Sequence, residues 1–233
     1  LKGFASQHSI TFPLLSDAGS KTITAWGILN KEATGRTAGI PHPGTFIIDR
    51  AGTIVSRTFE QPYTERRSTA SLLAQLSGAS PGKTTTIRGA HATLAVKATD
   101  AVAALGHRIT LSVQITPDVK NHVYAPGQKG YIPVNLTLAA DPAFKTYPAK
   151  YPASAPYVFV PLNETVQVYS KPFTITQDVT LALTSDMRAR AAKGEVLTIK
   201  GALEYQACDD KVCHRPDTVP VEWKVTLSPL VVR

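Results

Sequence analysis

Two cysteines, Cys208 and Cys213, are the only ones in 233 residues, and they lie five positions apart in Tyr205-Gln206-Ala207-Cys208-Asp209-Asp210-Lys211-Val212-Cys213-His214-Arg215-Pro216. A β-rich run from Glu195 to Ala207 feeds the first, and another from Thr218 to Leu227 follows the second, so the pair is expected to bracket a hairpin-like turn. Residues facing each other across such a turn have Cα atoms about 4.5–5.5 Å apart, which suits a disulfide. Closing so short a loop removes only roughly 2 kcal/mol of unfolded-state entropy, and a chain of this length can build its own core. The bond is thus a weak staple. Lys211, His214 and Arg215 supply nearby positive charge, which favours a thiolate, and each cysteine can resolve a mixed disulfide formed by the other.

Three readings stand at this point. A redox-active pair ranks first and an inert structural disulfide second. Metal ligation recruiting His214 and His122 ranks last, because two Cys and a neighbouring His are not a spaced ligand set. Adjacent Asp209 and Asp210 read as solvated turn formers rather than an acid pair. Of the six His, His8, His42, His91 and His107 read as surface or structural.

Tyr205-Gln206-Ala207-Cys208, the step to Cys213 and the following Pro216 resemble the N-terminal domain of the thiol:disulfide interchange protein DsbD and its soluble relatives. The resemblance extends over about residues 90–231, with His122-Val123-Tyr124-Ala125 and Tyr131-Ile132-Pro133-Val134 in the same group. The four-residue loop between the cysteines is shorter than in the best-known DsbD domain. The resemblance implies that Cys208 and Cys213 are catalytic, supported by His214, Lys211 and Tyr205. It also implies a cap loop over the disulfide, formed by the Tyr157 to Glu164 segment with Phe159 and Glu164, and Cys213 as the sulfur that forms the mixed disulfide. No metal or organic cofactor is needed, since the disulfide holds the two electrons. The partners implied are a thioredoxin-like protein or domain and client disulfide proteins, in a bacterial periplasm.

Composition supplies bounds. Hydrophobic residues make up 43% and charged residues 18%, an ordinary globular mixture. The net charge of +8 is spread out: eight Lys and Arg face five Asp and Glu in residues 1–78, and seventeen face twelve in residues 79–233. With no basic run longer than Arg66-Arg67, nucleic-acid binding is not expected. No apolar run reaches the eighteen or so residues of a membrane helix, so the chain is expected to be soluble and to lack a transmembrane electron path. It opens on Leu1 with no signal-peptide pattern and reads as a fragment or processed product.

The elements that must carry these residues fall into two parts. Residues 1–77 read as helix (Leu1 to Gln7), strand (Ile10 to Leu15), helix capped at Ser16-Asp17, a turn feeding a buried strand (Gly39 to Asp49 together), hairpin partner (Thr53 to Phe59) and closing helix (Thr64 to Leu76). Phe12-Pro13-Leu14-Leu15-Ser16-Asp17 and Pro43-Gly44-Thr45-Phe46-Ile47-Ile48-Asp49 resemble the second half of a peroxiredoxin, or AhpC/TSA-like redoxin, of the thioredoxin superfamily. That resemblance carries to Pro43 the role of the proline, often cis, that faces the active-site cysteine. No cysteine precedes residue 208, so this half is expected to do no thiol chemistry alone. Residues 78–90, rich in Ser, Gly, Thr and Pro, read as a linker.

From residue 91 to 233, period-two alternation such as Ile109-Leu111-Val113-Ile115 and Val219-Val221-Trp223-Val225-Leu227 predicts seven or more strands in an immunoglobulin-like β-sandwich. The Pro-rich interval from Tyr147 to Pro161 reads as an irregular lid. The fold class is thus multidomain α+β: a partial thioredoxin-like domain followed by a sandwich. The function expected is periplasmic thiol–disulfide exchange, relaying electrons between a thioredoxin-like partner and clients. The alternatives are a non-catalytic protein-binding module with a structural disulfide, or a fragment of a thiol peroxidase.

Overall fold

A computed structural model describes residues 1–59, 65–77, 82–159 and 164–229. Two compact units divide the chain, Leu1–Arg66 and Arg67–Leu230. No helix among the described residues is long and apolar enough to cross a membrane.

The first unit contains helix α1 (Lys2–Gln7), helix α2 (Lys21–Ala25) and an antiparallel hairpin of β1 (Gly44–Ile48) and β2 (Ile54–Phe59). The Asp17 carboxylate accepts from the Thr22 and Ile23 amides at 3.0 Å each, so the expected cap is made by Asp17. The hairpin turn is held by Asp49 Oδ1, which accepts from the Ala51 and Thr53 amides, and by Gly52 at φ +84, a conformation that favours glycine.

Two expectations fail here. Residues 10–15 form no strand: Pro13 lacks an amide hydrogen, no strand pairs with this stretch, and Phe12 and Leu15 are 64% and 90% exposed. Strand β1 is not buried either, since Ile48 is 50% exposed and a two-stranded sheet with one thin aromatic layer cannot cover both its faces. Trp26, Phe46 and Phe59 make that layer, edge to face at 5.0 and 5.5 Å.

The two-residue strand β3 (Arg66–Arg67) stands at the boundary, and helix α3 (Thr69–Ser77) belongs to the second unit. Arg67 Nη2 donates to Asp178 Oδ2 at 2.8 Å, Ser68 Oγ donates to Asp100 Oδ2 at 2.8 Å, and Ser71 Oγ meets Thr110 Oγ1 at 3.0 Å. The helix expected to close the first part therefore packs against the sandwich. Of the stretch expected as linker, residues 78–81 lie outside the described residues, and Thr85–Gly89 is strand β4. Its Thr, Thr and Ile suit an edge strand, and half-buried Ile87 packs against the core.

The remaining strands are β5 (Ala92–Ala98), β6 (Val102–Ala104), β7 (His107–Pro117), β8 (His122–Tyr124), β9 (Asn135–Leu138), β10 (Phe144–Thr146), β11 (Ala155–Phe159), β12 (Glu164–Tyr169), β13 (Phe173–Leu181), β14 (Val196–Tyr205), β15 (Ala207–Cys208) and β16 (Asp217–Ser228). One sheet runs β10-β13-β7-β5-β4, a second β6-β16-β14-β9, and a third β11-β12-β8-β15. The first two face each other across one core, as the alternation of Leu94, Val96, Ile109, Leu111, Val113 and Ile115 with Leu197, Ile199, Val221, Trp223 and Val225 predicts. Trp223 Nε1 crosses the layers and donates to the Ser112 carbonyl at 3.2 Å. A helix the sequence reading does not anticipate, α4 (Ser185–Ala192), is capped by Thr184 Oγ1 and buries Met187 and Ala191.

The third sheet positions the cysteines. Strand β14 pairs with β16 as far as Tyr205 opposite Asp217, and then the chain changes sheets at Gln206, so that Ala207 and Cys208 pair with Val123 and His122 of β8. Tyr205 anchors the change: its side chain is 1% exposed and its hydroxyl donates to the Ala90 carbonyl at 2.7 Å. The Pro-rich interval is only partly irregular. Residues 147–154 are loop with one bridge, Lys150 to Thr176, and then strand β11 pairs with β12 from Ala155 opposite Val168 to Phe159 opposite Glu164; residues 160 and 161 lie outside the described residues.

Candidate functional site

Cys208 and Cys213 are joined in a disulfide across an isolated antiparallel bridge, with Cα atoms 4.1 Å apart, tighter than the hairpin estimate. The turn is built by Asp209, whose carboxylate accepts from the Lys211 and Val212 amides at 2.8 and 2.7 Å. Those two bonds hold the Asp209 carboxyl below the usual range. The His214 amide then donates to the Ala207 carbonyl at 2.9 Å, closing the loop.

The two sulfurs have opposite environments. Cys208 is 1% exposed and packs with Tyr124, Val166 and Val168, whereas Cys213 is an exposed residue. A cavity of about 130 Å³ lies against Cys213. Its aromatic wall is His122, Tyr124, Tyr131, Tyr157 and Phe159, and its polar rim is Asp209 and Lys211. Tyr124 Oη lies 3.5 Å from Cys213 Sγ, and the Tyr124 ring stacks on Tyr131 at 4.2 Å. Tyr131 Oη donates to Glu164 Oε2 at 2.6 Å.

His122 is 4% exposed and stands opposite Cys208 in the β8–β15 pair. Its ring lies 4.4 Å from Tyr157, and its Nε2 is buried with no hydrogen-bond partner. Burial lowers its pKa, with Asp209 pulling the other way. Among the described residues no group of three or more His, Cys, Asp or Glu is placed to hold a metal ion.

Of the residues singled out from sequence, the fold brings Cys208, Cys213, Lys211, Phe159 and Glu164 to this region. It does not bring His214, whose ring stacks on His91 at 3.6 Å and which does not line the cavity. Tyr205 points into the sandwich core, where burial, followed by Asp217, raises its pKa. Pro43 precedes β1 in the first unit, half-buried. Residues 160–163 of the expected cap lie outside the described residues. The sequence reading gives His122 only a metal role, Tyr157 a place at the start of the expected cap, and Tyr124 and Tyr131 no role of their own, although the two-residue spacing of His122 and Tyr124 would put both on one face of a strand.

The AhpC/TSA family is matched by residues 1–57, the segment that resembles a redoxin in sequence. Two solved structures are similar to this chain in part. One is the N-terminal periplasmic domain of ScsB from Proteus mirabilis, at 11% identity and TM-score 0.41, covering 64% of this chain and 52% of that one. The other is the DsbD N-terminal domain of Neisseria meningitidis in its reduced form, at 17% identity and TM-score 0.30, covering 50% of this chain and 75% of that one. The chain thus spans about half the length of the ScsB domain. No curated protein matches it significantly.

Proposed function

We propose that Cys208–Cys213 is a redox-active disulfide which takes two electrons from the dithiol of a thioredoxin-like protein and passes them to client disulfides in a bacterial periplasm. The sandwich that carries it would then be the immunoglobulin-like domain of a DsbD-type relay. The observation that carries this reading is the asymmetry of the pair: one sulfur open beside a small aromatic cavity, the other sealed behind it.

Exchange needs a thiolate to reach one sulfur in line with the bond it breaks. Cys213 Sγ is the reachable one. A partner thiolate attacks it, a bond forms between the partner sulfur and Cys213, and the Cys208–Cys213 bond breaks with Cys208 leaving as thiolate and taking up a proton. The partner's second thiol, deprotonated, attacks its own bonded sulfur and expels Cys213 as thiolate. The partner ends oxidised and Cys208 and Cys213 end reduced. The same steps in reverse hand the electrons to a client. Tyr124 and Lys211, at the cavity, favour the Cys213 thiolate formed in the second step, one by its hydroxyl and the other by its charge. In this reading residues 1–66 serve docking or stability rather than chemistry, since they hold no cysteine.

Trapping tests the proposal. Cys208→Ser and Cys213→Ser variants are mixed separately with a thioredoxin-like protein lacking its resolving cysteine. A stable adduct is expected through Cys213, in the Cys208→Ser variant. An adduct formed only through Cys208 would reverse the assignment, and none through either would leave the disulfide a structural clip.

A further inference from the structure

Exchange through Cys213 leaves Cys208 with a proton problem. When the disulfide re-forms, Cys208 must lose the hydrogen of its thiol in order to attack Cys213, yet it is 1% exposed among Tyr124, Val166 and Val168. Apolar burial raises a thiol's pKa and keeps hydroxide and buffer away. A group inside the fold has to take that proton.

The residue directly opposite Cys208 is His122. Side chains directly opposite in an antiparallel pair share a face, with Cβ atoms about 4.5–5.5 Å apart. His122 is 4% exposed, its ring is set between Tyr157 at 4.4 Å and Tyr124 at 5.5 Å, and its Nε2 has no hydrogen-bond partner. Buried polar nitrogens are rarely left unpaired, and functional sites are where they persist.

The other titratable groups facing this space are poorly suited to the task. The Asp209 carboxylate is occupied by the Lys211 and Val212 amides. Lys211 is an exposed cation on the rim, and Glu164 accepts from Tyr131. Burial pushes the Tyr124 phenol up to about 12, so it keeps its proton at neutral pH and has no room for another. An imidazole alone among them changes charge near neutrality.

On the exchange reading above, we infer that His122 is the proton-transfer partner of Cys208, accepting the thiol proton as the disulfide closes and, once it has taken a proton from solvent, donating one to Cys208 as the disulfide opens. In closure the Cys208 S–H bond breaks, the proton passes to the imidazole, and the Cys208 thiolate attacks Cys213 Sγ. The Cys208–Cys213 bond forms, the Cys213–partner bond breaks, and the partner departs as thiolate. The imidazolium then gives its proton to solvent or to the departing thiolate. No further oxidant or reductant enters, because the client or partner disulfide supplies the oxidising equivalent. Burial lowers the His122 pKa, so the ring rests neutral and ready to accept.

The test follows closure alone. The reduced full chain is loaded at Cys213 as a mixed disulfide with nitrothiobenzoate, and release of that coloured thiolate reports attack by Cys208. In wild type the rate is expected to level off across the neutral range. His122→Gln, and His122→Phe to keep ring packing, are expected to slow release at neutral pH by on the order of a hundredfold. The deficit should shrink as pH rises and hydroxide takes the proton instead. Added imidazole should restore part of the rate in His122→Ala. A purely structural His122 would alter the rate by the same factor at every pH, or not at all, and either result overturns the inference while leaving exchange intact. A wild-type chain that releases nothing would overturn the exchange reading and this inference with it.

Discussion

Tyr124 Oη lies 3.5 Å from Cys213 Sγ, and because a bonded sulfur carries no hydrogen, the phenol is the donor. Burial first, then the neighbouring Tyr131, Tyr157 and Glu164, push that phenol up to about 12, so it keeps its proton throughout the neutral range. A donor aimed at sulfur favours the thiolate that reduction produces. Tyr124→Phe should therefore raise the Cys213 thiol by about one pKa unit, or about 1.4 kcal/mol. The pH dependence of alkylation in a Cys208→Ser background measures it, and an unchanged profile would remove Tyr124 from the chemistry.

Selectivity depends on the cavity wall. Phe159 and Tyr157 line it, and the Tyr131–Glu164 bond of 2.6 Å holds Tyr131 stacked on Tyr124. Wild type should react slowly with glutathione, because a wall of this kind admits a shaped partner in preference to any thiol. Phe159→Gly should speed glutathione reduction several-fold, and Tyr131→Phe by less. Equal rates for Phe159→Gly and wild type would mean that no lid operates there.

Acid should loosen the second unit through Asp178. Burial pushes this carboxyl up, but the Thr110 hydroxyl, the Arg67 guanidinium and Lys150 outweigh it and hold the pKa below the ordinary aspartate value. A depressed carboxyl adds stability above its unfolded pKa and loses it as pH falls through the folded one. Between about pH 5 and pH 2, wild type should lose stability more steeply than Asp178→Asn. At neutral pH the variant should be less stable by roughly 3 kcal/mol, since Arg67 is left buried without its charge partner. Denaturant titrations across this range measure both effects. Parallel curves would mean that the Arg67–Asp178 pair does not couple folding to pH.

Much of this fold is written in short-range pattern and some is not. The alternation in residues 109–115 and 219–227 identifies β7 and β16 because each buries one face, and a period of two is visible locally. The cysteine loop is legible for the same reason: its partners are five residues apart. The cavity wall is not, because Tyr131 meets Glu164 33 positions away and Tyr124 meets Cys213 89 away. His214 misleads for a related reason. Next to Cys213 in sequence, it turns its ring to His91 instead. Composition also misplaced the boundary. The polar texture of residues 78–90 hides β4, and nothing in the amphipathic stretch 69–77 says which surface it will cover.

Tyr205 supports the site through the backbone. Its hydroxyl donates to Ala90 and lies 3.3 Å from Asp217 Oδ2, at the point where the chain leaves β14 for β15. Tyr205→Phe should cost about 1 kcal/mol of unfolding free energy and leave the rate of disulfide exchange unchanged. Gly89→Ala should cost more, since a Cβ there would collide with the same hydroxyl and with Val219. A slowed exchange rate in Tyr205→Phe, with stability intact, would return this tyrosine to the chemistry.

Two truncations separate the roles of the chain's first third. Residues 1–66 form one compact unit without a cysteine, and among its described residues no hydrophobic side chain is fully buried. Arg67, Ser68 and Ser71 belong to the other unit, where they meet Asp178, Asp100 and Thr110. Removing residues 1–65 should therefore leave the sandwich folded, with its disulfide reduced by a generic dithiol at the wild-type rate. Removing residues 1–80 takes the guanidinium from Asp178, which is 6% exposed, and the Ser68 hydroxyl from Asp100, which is 5% exposed. Breaking one buried ion pair costs about 3–5 kcal/mol, a large part of the roughly 5–15 kcal/mol that holds a domain together. The longer truncation should melt well below the shorter one, and its disulfide should then react with small thiols indiscriminately. Equal melting temperatures would detach helix α3 from the sandwich. A shorter truncation that stays folded yet loses dithiol reactivity would give residues 1–65 a part in the chemistry that their lack of cysteine argues against.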